Sequence, residues 1–291
     1  MRYGNLTIKK STLIFTIVIG IGGILLFYIS TEHSDVSKMN IQFIPVYGDF
    51  RCLEMNDNTL DLYFLAQNTT KDDILASVED NRNLSENIFD SNYISVKSVS
   101  LAQSSLSWKN YILYQISFTF DLKDGKDVPQ NMILSAVRVG GEKYDIGKIN
   151  LQYSDISLDS GPLKVVSQAV MCPTFDLVDF PISLKNTGES NVIVTDVIAK
   201  SYPSSGVLWD IGDQELQTDR LPYFFPKEEE HSLDITLSSS RQEGYQIYYV
   251  SPVIKYVDTE TNCSYCEYPI SFLTGIPQSK EDISTIVANL F

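Results

Sequence analysis

Tyr111-Ile-Leu-Tyr-Gln-Ile-Ser-Phe-Thr-Phe-Asp-Leu122 is the stretch that decides the fold. Its large apolar residues recur at every second position, namely Ile116, Phe118, Phe120 and Leu122. Successive side chains of a strand point to opposite faces, so this period of two gives one buried and one hydrated face. The stretch therefore predicts a β-strand that covers the core of a mainly β protein.

Similar strand signals follow one another after residue 40, in runs rich in β-branched and aromatic residues. They predict strands at Ile41–Tyr47, Thr59–Leu65, Tyr93–Leu101, Tyr111–Leu122, Met132–Val139, Lys143–Leu151, Leu163–Val170, Leu177–Leu184, Val192–Ala199, Ser232–Leu237, Gln246–Val257 and Ser264–Leu273. Gly140-Gly141 is a dipeptide typical of a hairpin turn. Asp155–Pro162 is rich in Ser, Asp, Gly and Pro, which indicates a domain boundary. We therefore expect two antiparallel β-sandwich domains in tandem, at 41-155 and 162-275.

An internal repeat supports two domains of similar construction. In each copy a cysteine precedes a strand that ends in Asn-Thr, at Asn68-Thr69 and at Asn186-Thr187. The second copy reads Phe-Pro-Ile-Ser-Leu-Lys-Asn-Thr-Gly-Glu-Ser-Asn-Val-Ile-Val-Thr-Asp-Val over residues 180–197. It resembles the strand, Asn-Thr-Gly turn and strand of immunoglobulin-like modules on archaeal and bacterial membrane-anchored surface proteins. The resemblance implies a β-sandwich architecture and no particular activity.

An apolar run near the N-terminus, Thr12–Ile29, is long enough to span a bilayer, since at about 1.5 Å per residue it reaches roughly 27 Å. Three basic residues precede it, at Arg2, Lys9 and Lys10. By the positive-inside tendency, they hold the N-terminus in the cytoplasm. A cleaved signal peptide is the alternative, but no small-x-small pair stands where cleavage would be needed.

We therefore expect a cytoplasmic tail at 1-11, a single-pass transmembrane helix at 12-30 that acts as a signal-anchor, and a stalk at 31-40. The protein would lie in the cell membrane with a cytoplasmic N-terminus and an extracytoplasmic, extracellular C-terminal ectodomain. Small residues align on one face of the apolar run, at Thr12, Thr16, Gly20 and Gly23. This face would let another helix pack closely, although glycine is also common in membrane helices generally.

The chain is acidic, with 37 Asp and Glu residues against 22 Lys and Arg residues and a net charge of −15. Such a surface repels phosphates, so nucleic acid is not an expected partner. N-x-[ST] triplets are candidate glycosylation sites in an extracellular chain. They begin at Asn68, Asn83 and Asn262.

All four cysteines follow the apolar run, at Cys52, Cys172, Cys263 and Cys266. An even number in an oxidising compartment favours disulfides, and four cysteines allow three pairings. A bridge from Cys172 to Cys263 or Cys266 would join distant parts of the second sandwich. The remaining cysteine would then pair with Cys52 across the domains. In the other pairing, Cys263 closes on Cys266, and Cys52 meets Cys172.

The C-terminal segment changes from strand to helix signals. Ser279-Lys-Glu-Asp282 fits a capping box. Apolar residues then follow at helical spacing: Ile283, Ile286, Val287, Leu290 and Phe291. We expect a short amphipathic helix at 279-291, whose apolar stripe must pack either on the second domain or on a partner subunit. These five residues are therefore candidates for docking a partner.

No familiar catalytic motif is present in the sequence, including G-x-S-x-G, H-E-x-x-H and the phosphate-binding loop. Neither His33 nor His231 belongs to a motif. Cys263-Ser-Tyr-Cys266 has the spacing of a redox or metal-binding pair, but it begins a predicted strand rather than a helix. Three acidic clusters lack the spacing of a calcium loop, and we interpret them as solvated loops: Glu54–Asp61, Asp210–Glu215 and Glu228–Glu230.

The sequence thus predicts a non-enzymatic surface protein, without a cofactor, whose β-sandwich ectodomain binds or braces another protein. Its place would be that of an accessory subunit in a membrane or cell-envelope complex. The alternative is an envelope redox or metal-handling protein that works through Cys263, Cys266 and the acidic loops.

Overall fold

The computed structural model describes residues 40–52, 56–67, 69–83, 88–123, 129–153, 161–169, 171–174, 177–199, 204–211, 221–239 and 247–290. The elements of the first half are β1 (Asn40–Phe43), β2 (Val46–Cys52), β3 (Asn58–Gln67), α1 (Lys71–Asn83), β4 (Ile94–Trp108), β5 (Tyr111–Leu122), β6 (Asn131–Val139) and β7 (Glu142–Tyr153). Those of the second half are β8 (Leu163–Gln168), β9 (Met171–Thr174), β10 (Leu177–Asn186), β11 (Val192–Ile198), β12 (Ser204–Ile211), β13 (Tyr223–Phe225), β14 (Glu230–Ser239), β15 (Ile247–Val250), β16 (Val253–Asp258), β17 (Ser264–Glu267), β18 (Phe272–Thr274) and α2 (Lys280–Leu290).

Strand β5 has the bounds that its alternation predicts, and its inward-facing residues Ile116, Phe118 and Phe120 are fully buried. It lies inside sheet A, whose strand order is β1-β3-β5-β4. Both neighbours, β3 and β4, pair with it in antiparallel register. The prediction of a mainly β protein organised around this strand is confirmed.

Sheet B has the order β18-β15-β2-β7-β6 and packs against sheet A. The ring of Phe50 on β2 lies 6.3 Å from the ring of Phe120 on β5, which places both in a shared core. The β6–β7 hairpin turns through Gly140 and Gly141 at φ 59° and 81°, as the dipeptide predicts. Strand β2, however, is parallel both to β7 and to β15.

Sheets C and D enclose a second core. Sheet C has the order β12-β14-β10-β8, with β9 also on β10, and sheet D has the order β13-β11-β16-β17. Strand β10 belongs to sheet C and β11 to sheet D, so residues 187–191 cross between the sheets instead of forming a hairpin. Asn186 holds this crossing, since its Nδ2 donates to the carbonyl of Ser190 at 2.9 Å and its Oδ1 accepts from the amide of Gly188 at 3.0 Å. The first copy of the predicted repeat leads into α1 instead, so the two copies have different structures.

The C-terminal strands join the two cores. β15 joins sheet B, the chain then enters sheet D across Ser251 and Pro252, and β18 returns to sheet B after β16 and β17. The ring of Phe272 on β18 stacks on Phe180 of sheet C with centroids 4.8 Å apart. Gly48 permits the close approach of β15, because a Cβ at its φ of 110° would lie 2.1 Å from the carbonyl oxygen of Tyr249.

The fold-class prediction of a transmembrane helix followed by two tandem, antiparallel, Ig-like sandwiches is wrong. Sheet B is shared by strands from both halves of the chain and contains parallel pairs, and residues 41–291 form one compact unit. Neither helix of the described residues has the length and hydropathy to cross a membrane. The run Thr12–Ile29 and residues 31–39 lie outside the described residues. The individual domain bounds stay a prediction, because residues 154–160 also lie outside them.

The C-terminal helix is present as α2, with the predicted capping box. The amide of Asp282 donates to Ser279 Oγ at 3.1 Å, and the amide of Ser279 donates to Asp282 Oδ2 at 2.9 Å. The helix packs against β4 of sheet A rather than on the second half of the chain. The apolar stripe therefore has a partner in the protein itself.

Candidate functional site

Arg51 on β2 lies on the outer face of sheet B. Its neighbour Phe50 faces the core between sheets A and B, so the alternation of the strand turns Arg51 the other way. In register, Arg51 stands beside Gln152 of β7, and Gln152 stands beside Asn131 of β6. A row of one guanidinium and two amides therefore crosses this face of the sheet.

Segments from the C-terminal part of the chain cover Arg51, although it lies on an outer face. Arg51 Nη1 donates a hydrogen bond to the carbonyl of Pro252 at 3.1 Å, and the backbone amide of Arg51 donates to Ser271 Oγ at 3.0 Å. The guanidinium carbon lies 4.4 Å from the centre of the Tyr268 ring. Only 8% of Arg51 is exposed. Residues some two hundred positions apart in sequence thus build the surroundings of one cation.

A cleft of about 340 Å³ opens beside this cation, between the outer face of sheet B and strands β16 and β17. We call it the Arg51 cleft and define it by Arg51, Asn131, Gln152, Lys255, Cys266 and Tyr268. A second hollow of about 250 Å³ adjoins it and shares Lys255 and Cys266. We call these two hollows together the groove, and amides, aromatic rings and two cations line it.

The electrostatics of the cleft are unusual for so acidic a chain. Burial lowers the pKa of Arg51 below its usual value, although an arginine stays charged at physiological pH. Among the described residues, no carboxylate forms a salt bridge with Arg51. Lys255 has a distant contact at 3.8 Å from its Nζ to Asp196 Oδ2, with both side chains about half exposed. Among the described residues, Arg51 is therefore a buried cation that contacts a carbonyl and a ring face and is influenced electrostatically by Asp49, without forming a salt bridge.

The three cysteines whose side chains the structure describes are not bonded to one another. The structure records Cys52, Cys263 and Cys266 as free thiols, and the side chain of Cys172 lies outside the described residues. Burial raises the pKa of Cys52 to about 12, which keeps it a protonated thiol. Cys263 is exposed in a turn, whereas Cys266 is half-buried on β17 opposite Lys255 and lines the cleft. The disulfide pairings stay predictions.

The remaining candidates that the structure describes do not line the cleft. Thr12, Thr16, Gly20, Gly23, Asn68 and Phe291 lie outside the described residues, as does the side chain of Asn83. Asn262 is exposed in the turn before β17. In α2, Ile283 and Ile286 are fully buried, Val287 is buried and Leu290 is half-buried, so the predicted docking stripe is largely covered by the protein's own residues.

The acidic clusters do not form a metal site within the described part of the chain, where no group of three or more potential ligands occurs. In the triplet Glu228–Glu230, two side chains bind the protein itself. Glu229 Oε2 lies 2.8 Å from His231 Nε2, and Glu230 Oε1 accepts from Ser183 Oγ at 2.8 Å. His231 Nδ1 lies 3.0 Å from the hydroxyl of Tyr223.

The sequence analysis did not single out Arg51. A signal was present, since a basic residue stands between Phe50 and Cys52 in a chain with few cations. Its burial depends, however, on Pro252 and Tyr268, which no local pattern connects with it. The cleft therefore forms because strands from both halves of the chain share sheet B.

Comparisons with known proteins add little. No family model and no curated protein matches the chain. Among solved structures, it is similar to a protein of unknown function from Porphyromonas gingivalis W83, at 10% identity and a TM-score of 0.23. The alignment covers 80% of this chain and 98% of that protein. Neither result supports the expected relation to immunoglobulin-like modules.

Proposed function

We propose that this is a non-enzymatic binding protein that holds or braces another protein through the groove at the Arg51 cleft. One observation carries the proposal, namely the cleft between sheet B and the strands β16 and β17. Its walls are strands, which keep their positions better than loops do. Its lining offers amide donors and acceptors beside a buried cation, the kind of surface that recognises a polar peptide segment.

The described lining of the cleft favours binding over catalysis. It contains neither a histidine nor a carboxylate that would activate the Cys266 thiol as a nucleophile. The histidine of the described residues, His231, contacts Tyr223 and Glu229 instead. A partner would thus be held by shape and hydrogen bonds.

An extracytoplasmic location is part of the proposal. The apolar run Thr12–Ile29 and the basic residues before it are the sequence features that support it. Protease treatment of intact cells should digest the chain beyond residue 40 if this is right. Protection of the chain in intact cells, with digestion after lysis, would contradict the location.

Site-specific photocrosslinking tests the binding function. A benzophenone amino acid is placed at Gln130, an exposed residue at the rim of the cleft, in the full chain expressed in its native cells. The matched control carries it at Val166, an exposed residue on sheet C. A discrete adduct from Gln130 that is absent from Val166 is the expected result. Equal labelling from both positions, or none from either, would contradict a partner at the groove.

The redox or metal-handling alternative stays a second candidate, because Cys266 lines the cleft near two cations. Metal analysis of the purified protein separates the two functions. Stoichiometric zinc or copper that is lost in a Cys266→Ser variant favours the alternative, and a metal-free protein with an intact Gln130 crosslink favours binding.

A further inference from the structure

We propose that the Arg51 cleft recognises a carboxylate group of the bound protein, with Arg51 as its anchoring cation. This inference rests on the proposed binding function and names the chemistry that the groove selects. A guanidinium offers two parallel N–H donors that match the two oxygens of a carboxylate.

The hydrogen bonds of Arg51 leave one edge of the guanidinium for a ligand. Nη1 donates to the carbonyl of Pro252, and the Tyr268 ring covers one face of the group. Within the described residues, no hydrogen bond from Nε or Nη2 is recorded. The edge formed by these two nitrogens provides the fork that a carboxylate accepts.

Burial distinguishes Arg51 from an ordinary, fully hydrated surface cation. With 8% of the residue exposed, water hydrates the guanidinium poorly, and its contacts with a carbonyl and a ring replace that hydration only in part. An incoming anion would meet a cation already desolvated and held in one orientation. Such a pre-positioned group loses little conformational freedom on binding.

The surroundings favour a carboxylate over a phosphate. The neighbouring row supplies neutral amides from Asn131 and Gln152, and the second cation, Lys255, stands near Asp196. Asp49 acts electrostatically on Arg51, and its Oδ1 already accepts from Asn150 Nδ2 at 2.8 Å. Asp49 repels a phosphate dianion more strongly than a single carboxylate, and Asp196 lies near the other cation, Lys255, so one carboxylate suits one guanidinium edge.

Two sources provide this group, an acidic side chain and a chain terminus, and three short peptides distinguish them. The probes are acetyl-Ala-Glu-Ala-amide, acetyl-Ala-Gln-Ala-amide and acetyl-Ala-Gln-Ala with a free carboxylate. Each is titrated into the full-length protein and followed by NMR line broadening of the peptide. We expect one or both carboxylate peptides to bind at least about 10-fold more tightly than the neutral one. Equal binding of all three would overturn the inference.

Variants then assign the effect to Arg51. Arg51→Lys keeps the charge and loses the fork, so we expect carboxylate binding to weaken at least about 10-fold while circular dichroism stays unchanged. Lys97→Gln removes a cation outside the cleft and should bind as the wild type does. Unchanged affinity in Arg51→Lys would overturn the inference.

The Gln130 crosslink separates this inference from the proposed function. If the adduct forms equally in wild type and in Arg51→Lys, a partner binds at the groove without carboxylate recognition, and only the inference is overturned. If the wild type gives no adduct, the proposed function itself is overturned. A strong adduct in wild type that is lost in Arg51→Lys supports both.

Discussion

Lys97 and Arg51 are two cations in very different settings. Lys97 lies on the surface with 42% of its side chain exposed, and its Nζ is 2.9 Å from both Asp57 Oδ1 and Asp121 Oδ1. Arg51 is almost fully buried and, within the described residues, has no carboxylate partner. The exposed cation is thus paired with the protein's own acids, whereas the buried one forms no salt bridge among the described residues and is influenced by Asp49 only electrostatically. This is the reverse of the usual arrangement, in which a buried charge is paired, and the proposed role of Arg51 rests on this contrast.

The largest loss of stability should come from Gly48→Ala, which would disturb the pairing of β15 with β2, the strand that carries Arg51. The new Cβ would meet the backbone of Tyr249 at a φ that side chains rarely adopt, so β2 and β15 must separate. We expect a loss of about 3 kcal/mol or more in the free energy of unfolding, measured by urea titration.

Gly141→Ala is the matched control, because Gly141 also has a positive φ but no atom lies within 4 Å of the added Cβ. It should cost about 1 kcal/mol, the penalty of the backbone conformation alone. Equal losses in the two variants would show that the contact with β15 is unimportant.

A smaller loss of stability is expected for Tyr249→Phe, which weakens the attachment of the same strand, β15, to β3 of sheet A. The Tyr249 hydroxyl donates to the carbonyl of Asp61 at 3.0 Å and accepts from the amide of Asp61 at 2.7 Å. Removing it should cost about 1–2 kcal/mol at neutral pH, measured by urea titration.

The same tyrosine gives a pH test. Burial raises the pKa of Tyr249 well above 10.0, so its contribution is present below pH 10.0 and is lost as the pH rises through the raised pKa. Wild type should therefore lose its advantage over Tyr249→Phe in strongly alkaline solution. A difference that stays constant with rising pH would contradict this role.

For the exposed cation, Lys97→Met should lower the urea midpoint only slightly, since surface ion pairs contribute little to the free energy of unfolding. Hydrogen bonds from the Asp57 amide and from Lys97 hold the pKa of Asp121 below 3.8. The contribution of the pair is therefore present above that pH and is lost as the pH falls through the lowered pKa. The midpoints of variant and wild type should converge once the pH falls below the lowered pKa of Asp121.

Arg51→Met should have the smallest effect on stability. The change removes a desolvated charge as well as its hydrogen bond to Pro252, and these contributions oppose each other. We expect a free energy of unfolding within about 1 kcal/mol of the wild type, measured by urea titration. A loss above about 2 kcal/mol would mean that Arg51 is mainly structural, and the contrast with Lys97 would then fail.

Local patterns predicted most of the strands, because the apolar residues of a strand show which of its own side chains face the core. The alternation around Phe118 gave the bounds of β5, and Gly140-Gly141 gave a hairpin. The capping box at Ser279–Asp282 marked the start of α2, where the amide of Asp282 donates to Ser279 Oγ at 3.1 Å. Such signals lie within a few residues of one another, which is why they can be recognised in the sequence.

Sheet membership was not predictable in the same way. Residues 246–257 read as one strand, but Pro252 ends the run in sheet B and the chain resumes in sheet D. Pro45 divides the run at 41–47 between sheets A and B in the same manner. Both prolines were visible as breaks, yet the sequence does not say which distant strand each part will join. The candidate site depends on that pairing of distant strands, so the site could not be predicted from the sequence either.

The position of β2 between β7 and β15 has a consequence for how the protein is made. The residues of β15 that pair with β2 are Ile247–Tyr249, so the ribosome must synthesise most of the chain before β2 is paired on both sides. Until then, the first half presents an open strand edge, which readily pairs with another nascent chain. We therefore expect the yield of native protein to depend on how this edge is shielded until the last part of the chain has been made.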